Sequence, residues 1–237
     1  MKTYLTLLLL LVGSTALPAQ TFSAAQLLEK SINYHDPEQK WLTWQAAFTL
    51  ELEMPTRPNR RSHLQIDNKN GNFKLIVERD SHQIKRSVKQ GQCLNLLDNK
   101  IPKDTALVKK YQLNCERTYM YRDYYTYLYG LPMKLKDQGT ILHETAAEVS
   151  FKGNTYWKIK VTYEAAVGDD IWYFYLDKDN YALKAYQFYH DESKNDGEYI
   201  LLASEQMIDG IKVPKDRTWY YNADDKLLGT DFLVEQQ

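Results

Sequence analysis

Residues 42–54 read Leu-Thr-Trp-Gln-Ala-Ala-Phe-Thr-Leu-Glu-Leu-Glu-Met, and two chemistries alternate along them without a slip. Leu42, Trp44, Ala46, Phe48, Leu50, Leu52 and Met54 share one parity, while Thr43, Gln45, Ala47, Thr49, Glu51 and Glu53 share the other. Successive side chains of a strand point to opposite faces, so the stretch predicts one long β-strand, apolar on one side and wet on the other. A helix would spread the same residues around its circumference. At ~3.3 Å per residue the strand spans roughly 40 Å, and strands of that length belong to strongly curved sheets or barrels. Function is expected on the concave, apolar side.

Upstream, Lys2, the apolar run 5–12 and the small residues Gly13, Ser14, Thr15, Ala16 and Ala19 predict an export signal over 1–19, cleaved near Gln20. The run falls short of the ~20 residues that span a bilayer, which argues against a retained anchor. No Cys follows it, so a soluble exported protein of the periplasm or beyond is expected. Residues 20–237 suffice for one domain with a real core, and nothing resembling a linker divides them.

The chain of 237 residues carries a net charge of -1, unevenly spread. Residues 55–115 hold 13 Lys and Arg against 5 Asp and Glu, and residues 116–237 hold 14 against 21. Solvated sheet faces account for this; alternatively Arg57, Arg60 and Arg61, read as one loop cluster, meet an anionic membrane surface. Near-zero net charge on an exported chain argues against nucleic acid as a partner. Cys93 and Cys115 predict a single disulfide in an oxidising compartment, the alternative being two buried thiols.

Ser23 and Gln26 form a capping box for a helix, with Phe22 and Leu27 as its hydrophobic staple. Ala24, Leu27, Leu28, Ser31, Ile32 and His35 give that helix one apolar face, and His35 on it reads as a packing residue. Asp36-Pro37 ends it. After the long strand and a polar turn at 55–60, strands are predicted at 62–67, 72–80, 83–89 and 92–97, with an Asn-Gly hairpin at 68–71. Helices follow at 104–110, capped by Asp104, and at 115–129, stopped by Gly130 and Pro132. Tyr119, Tyr121, Tyr124, Tyr125, Tyr127 and Tyr129 fill the second helix all the way round, either as packing between layers or as a lid over a pocket. Seven strands are then predicted at 148–152, 156–163, 171–176, 181–190, 198–206, 211–221 and 226–234. Short turns between consecutive strands make antiparallel neighbours. The fold class is α+β: a strongly curved antiparallel sheet, an incomplete β-barrel of about twelve strands, with an N-terminal helix and a helical insertion as lid or plug.

No catalytic constellation rises above background. His35, His63, His82, His143 and His190 are scattered, and no H-E-x-x-H pair, nucleophile elbow or Gly-rich phosphate loop occurs. No metal and no cofactor is expected, and the chain reads as a non-enzyme. His190-Asp191-Glu192-Ser193 holds the residue types of a triad, but neighbours on a strand end point different ways. Asp177-Lys178-Asp179-Asn180 reads as a hairpin turn, not a calcium loop. The concave face remains. If no helix fills it, it is a pocket for an apolar ligand such as a lipid or lipoprotein acyl chain, at ~0.8 kcal/mol per buried methylene.

The order of helix, long strand, meander, helical insertion and second meander resembles the LolA-like lipoprotein-carrier superfamily of incomplete β-barrels. Trp172-Tyr173-Phe174-Tyr175-Leu176-Asp177 followed by Tyr181-Ala182-Leu183-Lys184-Ala185-Tyr186 is similar to its hairpin with an Asp-containing turn. Ile208-Asp209-Gly210-Ile211-Lys212-Val213-Pro214 is similar to the next one. Residues 31–36, 124–135 and 195–201 resemble an uncharacterised exported family of the Bacteroidota, a domain of unknown function. The superfamily likeness implies a cavity for acyl chains under a helical lid. The expectation is a monomeric carrier whose pocket draws on Trp44, Phe48, Leu50 and Leu52, with Tyr121, Tyr125 and Leu128 as lid residues. The alternative is a polysaccharide- or protein-binding module of the cell envelope using Trp157, Trp172 and Trp219. A hydrolase would need a buried carboxylate or His with a displaced pKa in a cleft, and no such pair is legible.

Overall fold

The computed structural model describes residues 22–236; the expected signal and its cleavage point lie outside them. The predicted capping box is present at the head of α1 (Ala24–His35). Ser23 Oγ accepts the Gln26 N–H at 3.2 Å, and Gln26 Oε1 accepts the Ser23 N–H at 3.0 Å. Phe22 sets its ring edge-on to Trp157 and Tyr181. The apolar face of α1 buries Ala24, Leu27, Leu28, Ser31 and His35. His35 is a satisfied packing residue: Nδ1 lies 2.7 Å from the Lys212 carbonyl, and Nε2 accepts the Leu183 N–H at 2.9 Å. That pattern requires the neutral ring, and burial pushes its pKa down.

Asp36 accepts the N–H groups of Lys40 and Trp41, and the chain winds through a 3-10 turn, Trp41–Thr43, before the strand begins. Leu42 is 80 % exposed, so its place in the alternation is accidental. The strand β1 is Gln45–Met54. β2 (Arg57–Asp67) starts earlier than expected, so the polar loop at 55–60 shrinks to a two-residue turn and Arg57, Arg60 and Arg61 stand on a strand. β3 (Asn72–Arg79), β4 (His82–Lys89) and β5 (Gln92–Leu97) complete the first meander.

Two helices interrupt the strands: α2 (Thr105–Lys110), capped by Asp104, and α3 (Cys115–Gly130), capped by Asn114. The second meander comprises β6 (Thr140–Phe151), β7 (Asn154–Tyr163), β8 (Ile171–Asp177), β9 (Leu183–Tyr189), β10 (Glu198–Ile208), β11 (Ile211–Tyr221) and β12 (Leu227–Gln236). β6 reaches eight residues further upstream than its alternation suggests, across an irregularity between Leu142 and Ala146 that hides the period.

All twelve strands form one antiparallel sheet in the order β5-β4-β3-β2-β1-β12-β11-β10-β9-β8-β7-β6. The first and last strands therefore pair at the centre, and β5 and β6 are the two edges, with the helical insertion packing α3 on β5 and the 3-10 turn Met133–Lys136 on β6. The sheet curves but does not close. Its inner face carries Phe48, Leu64, Ile66, Phe73, Ile159, Phe174, Tyr186 and Ile200 in one core with α1 and α3. Trp44, fully buried, donates its indole N–H to the Ile208 carbonyl at 2.8 Å and helps fix β1 to the β10–β11 hairpin.

Candidate functional site

α3 crosses the concave face and is held at three places. Cys115, at its first turn, is disulfide-bonded to Cys93 on β5. Thr118 Oγ1 donates to Asn95 Oδ1 on the same strand at 2.7 Å. Along its middle, the Tyr125 ring lies 6.4 Å from Phe73, and the Tyr127 and Tyr163 hydroxyls meet at 2.6 Å. At its end the Tyr129 ring sits 4.4 Å from Phe48, and Arg217 donates to the Leu128 carbonyl at 2.9 Å while stacking on Tyr129 at 4.1 Å. Tyr residues surround this helix because its sides meet the sheet, a cleft or water, and the ring with its hydroxyl suits all three.

Beneath its C-terminal half the buried side chains of Trp44, Phe48, Leu50 and Tyr129 pack into the core, and clefts open on its flanks. One, of about 450 Å³, opens at the end of the half-barrel opposite α1, between the β1–β2 and β11–β12 hairpins. Leu52, Met54, Leu227, Leu228, Trp219 and Tyr124 give it apolar walls, and Arg57, Arg60, Glu198 and Asp231 give it charge. A second, of about 300 Å³, lies under the N-terminal half of α3 and shares Arg60 with the first. A third, of about 430 Å³, separates α3 from β6 to β8, with Tyr127, Tyr163 and Trp172 on its walls.

Of the residues expected to line a pocket, Leu52 borders the 450 Å³ cleft, and Tyr121 and Tyr125 border the 300 Å³ cleft. Trp44, Phe48, Leu50 and Leu128 lie in the packed core under α3. Trp157, Trp172 and Trp219 are also part-buried against that core, so they do not form the exposed binding face imagined for them. Arg60 and Arg61, adjacent on β2, point to opposite faces, which breaks up the single basic patch.

The residues the sequence reading missed are charges on the inner parity of strands. Cross-strand pairing sets Arg60, Leu52, Asp231, Arg217 and Leu202 in one row across five strands. Arg217 is 2 % exposed and Asp231 6 %. Burial pushes the Asp231 carboxyl up to about 6 against the pull of Arg60 and Arg217. Burial also raises Glu198 in the same cleft, with His190 pulling the other way. The displaced carboxylate that the sequence did not reveal therefore exists. Its neighbours are guanidinium and phenol groups, with no Ser, Cys or His nucleophile on the cleft wall. Among the described residues, no group of three or more His, Cys, Asp and Glu gathers as a metal site.

The sequence matches one family along residues 2–236. The chain belongs to DUF6503, a family of unknown function. Among solved structures, the DUF6503 chain is similar to a LolA superfamily protein from Nitrosomonas europaea, with a TM-score of 0.51, 12% identity, and 91% of this chain and 93% of that one covered. It is likewise similar to a putative outer membrane lipoprotein-sorting protein domain from Vibrio parahaemolyticus, with a TM-score of 0.53, 12% identity, and 90% and 92% covered. At such identity the likeness concerns the fold: the open, curved antiparallel sheet is LolA-like. No curated protein matches the chain. Among the described residues, no helix is long and apolar enough to cross a membrane.

Proposed function

We propose that this DUF6503 chain is an exported, monomeric, non-catalytic binding protein that shelters the acyl chain of a lipid or lipoprotein, with α3 as the lid. The observation that carries this reading is the 450 Å³ cleft at the open end of the half-barrel, where Leu52, Met54, Leu227 and Leu228 meet Trp219 and Tyr124. Leu227 and Tyr124 are exposed there, at 40 % and 41 %, so apolar surface stands in water at the lip. About ten methylenes moved from water into such a site contribute about 8 kcal/mol before the costs of association. The LolA-like fold supports the reading, and so does the disulfide, which suits an oxidising compartment. The deeper pocket expected at Trp44, Phe48, Leu50 and Leu128 is reached only if α3 swings away. Its hydrogen bond at Leu128 and its tyrosine contacts are the ties to be broken, while the disulfide keeps its N-terminus on β5 as the pivot.

The test is displacement of a fluorescent fatty acid from delipidated protein. Leu52→Glu places a charge on the cleft wall and is expected to weaken binding at least about tenfold while the fold persists. Equal binding by a folded Leu52→Glu protein and the wild type contradicts the assignment of this cleft.

One observation favours the envelope-module alternative. On the face opposite the core, the part-exposed Phe151 stacks on the buried Tyr175 at 4.1 Å and the part-exposed Tyr220 on the buried Tyr199 at 5.0 Å. Saturable binding of the wild type to envelope polysaccharide, lost in Tyr220→Ala, would favour that module over carriage.

A further inference from the structure

The 300 Å³ cleft under the N-terminal half of α3 is basic to a degree the carrier reading does not use. Arg60 of β2, Arg86 of β4 and Arg117 of α3 converge on it, with Arg79 and Lys110 at the rim. Arg86 is only 5 % exposed. Its hydrogen bonds go to uncharged acceptors: the Tyr111 carbonyl at 2.5 Å, the Gln112 carbonyl at 2.8 Å and Asn95 Oδ1 at 3.4 Å. Arg117 stands beside it, both guanidinium groups lying over the Tyr121 ring at 4.9 and 5.4 Å. Among the described residues, no Asp or Glu lines this cleft; Asp80, next to Arg79, lies outside it and is paired with Lys110 at 3.0 Å. Glu116, one residue along α3, is solvent-exposed, and Asp231 faces the neighbouring cleft.

Two buried donors sharpen the picture. The Nε–H groups of Arg60 and Arg117 are shielded from solvent and find no acceptor in the protein. A buried charge without a counter-charge, as at Arg86, and a buried donor without an acceptor, as at Arg60 and Arg117, are each expensive, and an anionic ligand in this cleft would supply the missing atoms to both. The ligand must be anionic, must accept from several guanidinium groups at once, and must fit about 300 Å³. Guanidinium forks match the oxygens of a phosphoryl group.

We propose that this cleft is a binding site for a phosphoryl group, held by Arg60, Arg86 and Arg117 with the Tyr121 hydroxyl beside them. The site stands independently of the acyl-chain reading. Only its assignment to a lipid headgroup rests on that reading, through Arg60, which belongs to both clefts and would join a headgroup on one side to a chain on the other.

The experiment is titration of the folded protein with inorganic phosphate, following the arginine side-chain Nε–Hε resonances by NMR. Saturable shifts of the Arg86 and Arg117 signals at millimolar phosphate or below are expected. Arg117→Gln, part-exposed and outside the hydrophobic core, is expected to weaken binding about tenfold with little change in the denaturation midpoint. The absence of saturable shifts, or a phosphate affinity equal to that of the wild type in both Arg117→Gln and Arg60→Gln, overturns the site. The source is then read from dihexanoyl phosphatidic acid, with dihexanoyl phosphatidylcholine as control. Tighter binding of the acid than of phosphate by about tenfold or more, reversed by Leu52→Glu, identifies a headgroup. Equal affinity for the two identifies a free-phosphate site and removes the headgroup assignment alone.

Discussion

Replacing Asp231 by Asn is expected to stabilise the protein at neutral pH and to flatten its pH dependence. The carboxyl stands on the inner face of β12, opposite Leu52 on one side and Arg217 on the other. With 6 % of its surface exposed it loses most of its hydration, and burial raises it from 3.8 to about 6 despite Arg60 and Arg217. A rise of about two pH units, at about 1.36 kcal/mol each, amounts to about 3 kcal/mol. A carboxyl raised in the folded state binds its proton more tightly there than in the unfolded chain. Its contribution is therefore complete below about pH 4 and is lost as pH climbs through about 6. Denaturant unfolding of wild type and Asp231→Asn across pH 4 to 8 isolates this group, because Glu198, His190 and the other titrating residues are common to both. Wild-type stability relative to the variant should fall by about 3 kcal/mol over that range. A flat difference, or a wild type that gains on the variant above pH 6, would show instead that attraction to Arg217 and Arg60 outweighs desolvation at Asp231.

Three further outcomes follow from the packing of α3. Cys93→Ser with Cys115→Ser removes a closure of 22 residues and is expected to cost about 3 kcal/mol; unfolding with and without reductant should show the same loss in the wild type and none in the double variant. Gly130→Ala places a methyl 2.7 Å from Trp41 Cη2 where α3 passes the 3-10 turn, and overpacking there should lower stability by about 1–3 kcal/mol with a shift in tryptophan emission. Arg217→Met keeps much of the side-chain volume but removes the donor to the Leu128 carbonyl, so hydrogen exchange of the last turn of α3 should accelerate by about tenfold, and unchanged exchange would remove Arg217 as a tie on α3.

Most of the sheet was legible because its strands alternate and its turns carry Asn, Asp and Gly. The twelve strands follow from that, and their up-and-down pairing follows from turn length. Where the reading slipped, a competing local force is visible. Residues 42–44 alternate by coincidence, and Asp36 winds them into a 3-10 turn instead. Pro58 hid the start of β2, yet β3 pairs with β2 only as far as Ser62, so the stretch around Pro58 has an open side where a missing N–H is tolerated. The candidate site was less legible. Aromatic and aliphatic residues mark a core and a pocket wall alike, and only the path of α3 decides that Phe48 is packed while Leu52 borders a cleft. A signal was nonetheless present. Arg60 shares its parity with Ser62, Leu64 and Ile66, and Arg86 shares its with Ile84 and Val88, so a charge falls where the pattern calls for an apolar side chain.

If the space beside α3 shelters an acyl chain as proposed, that chain should accompany the protein out of the cell. Native mass spectrometry of the protein, isolated gently from the envelope of its own cells, tests it most directly. A population carrying an added mass of lipid size is expected, released by mild activation and absent from Leu52→Glu. A wholly unliganded spectrum from freshly isolated protein, together with failure to take up acyl chains afterwards, would contradict it.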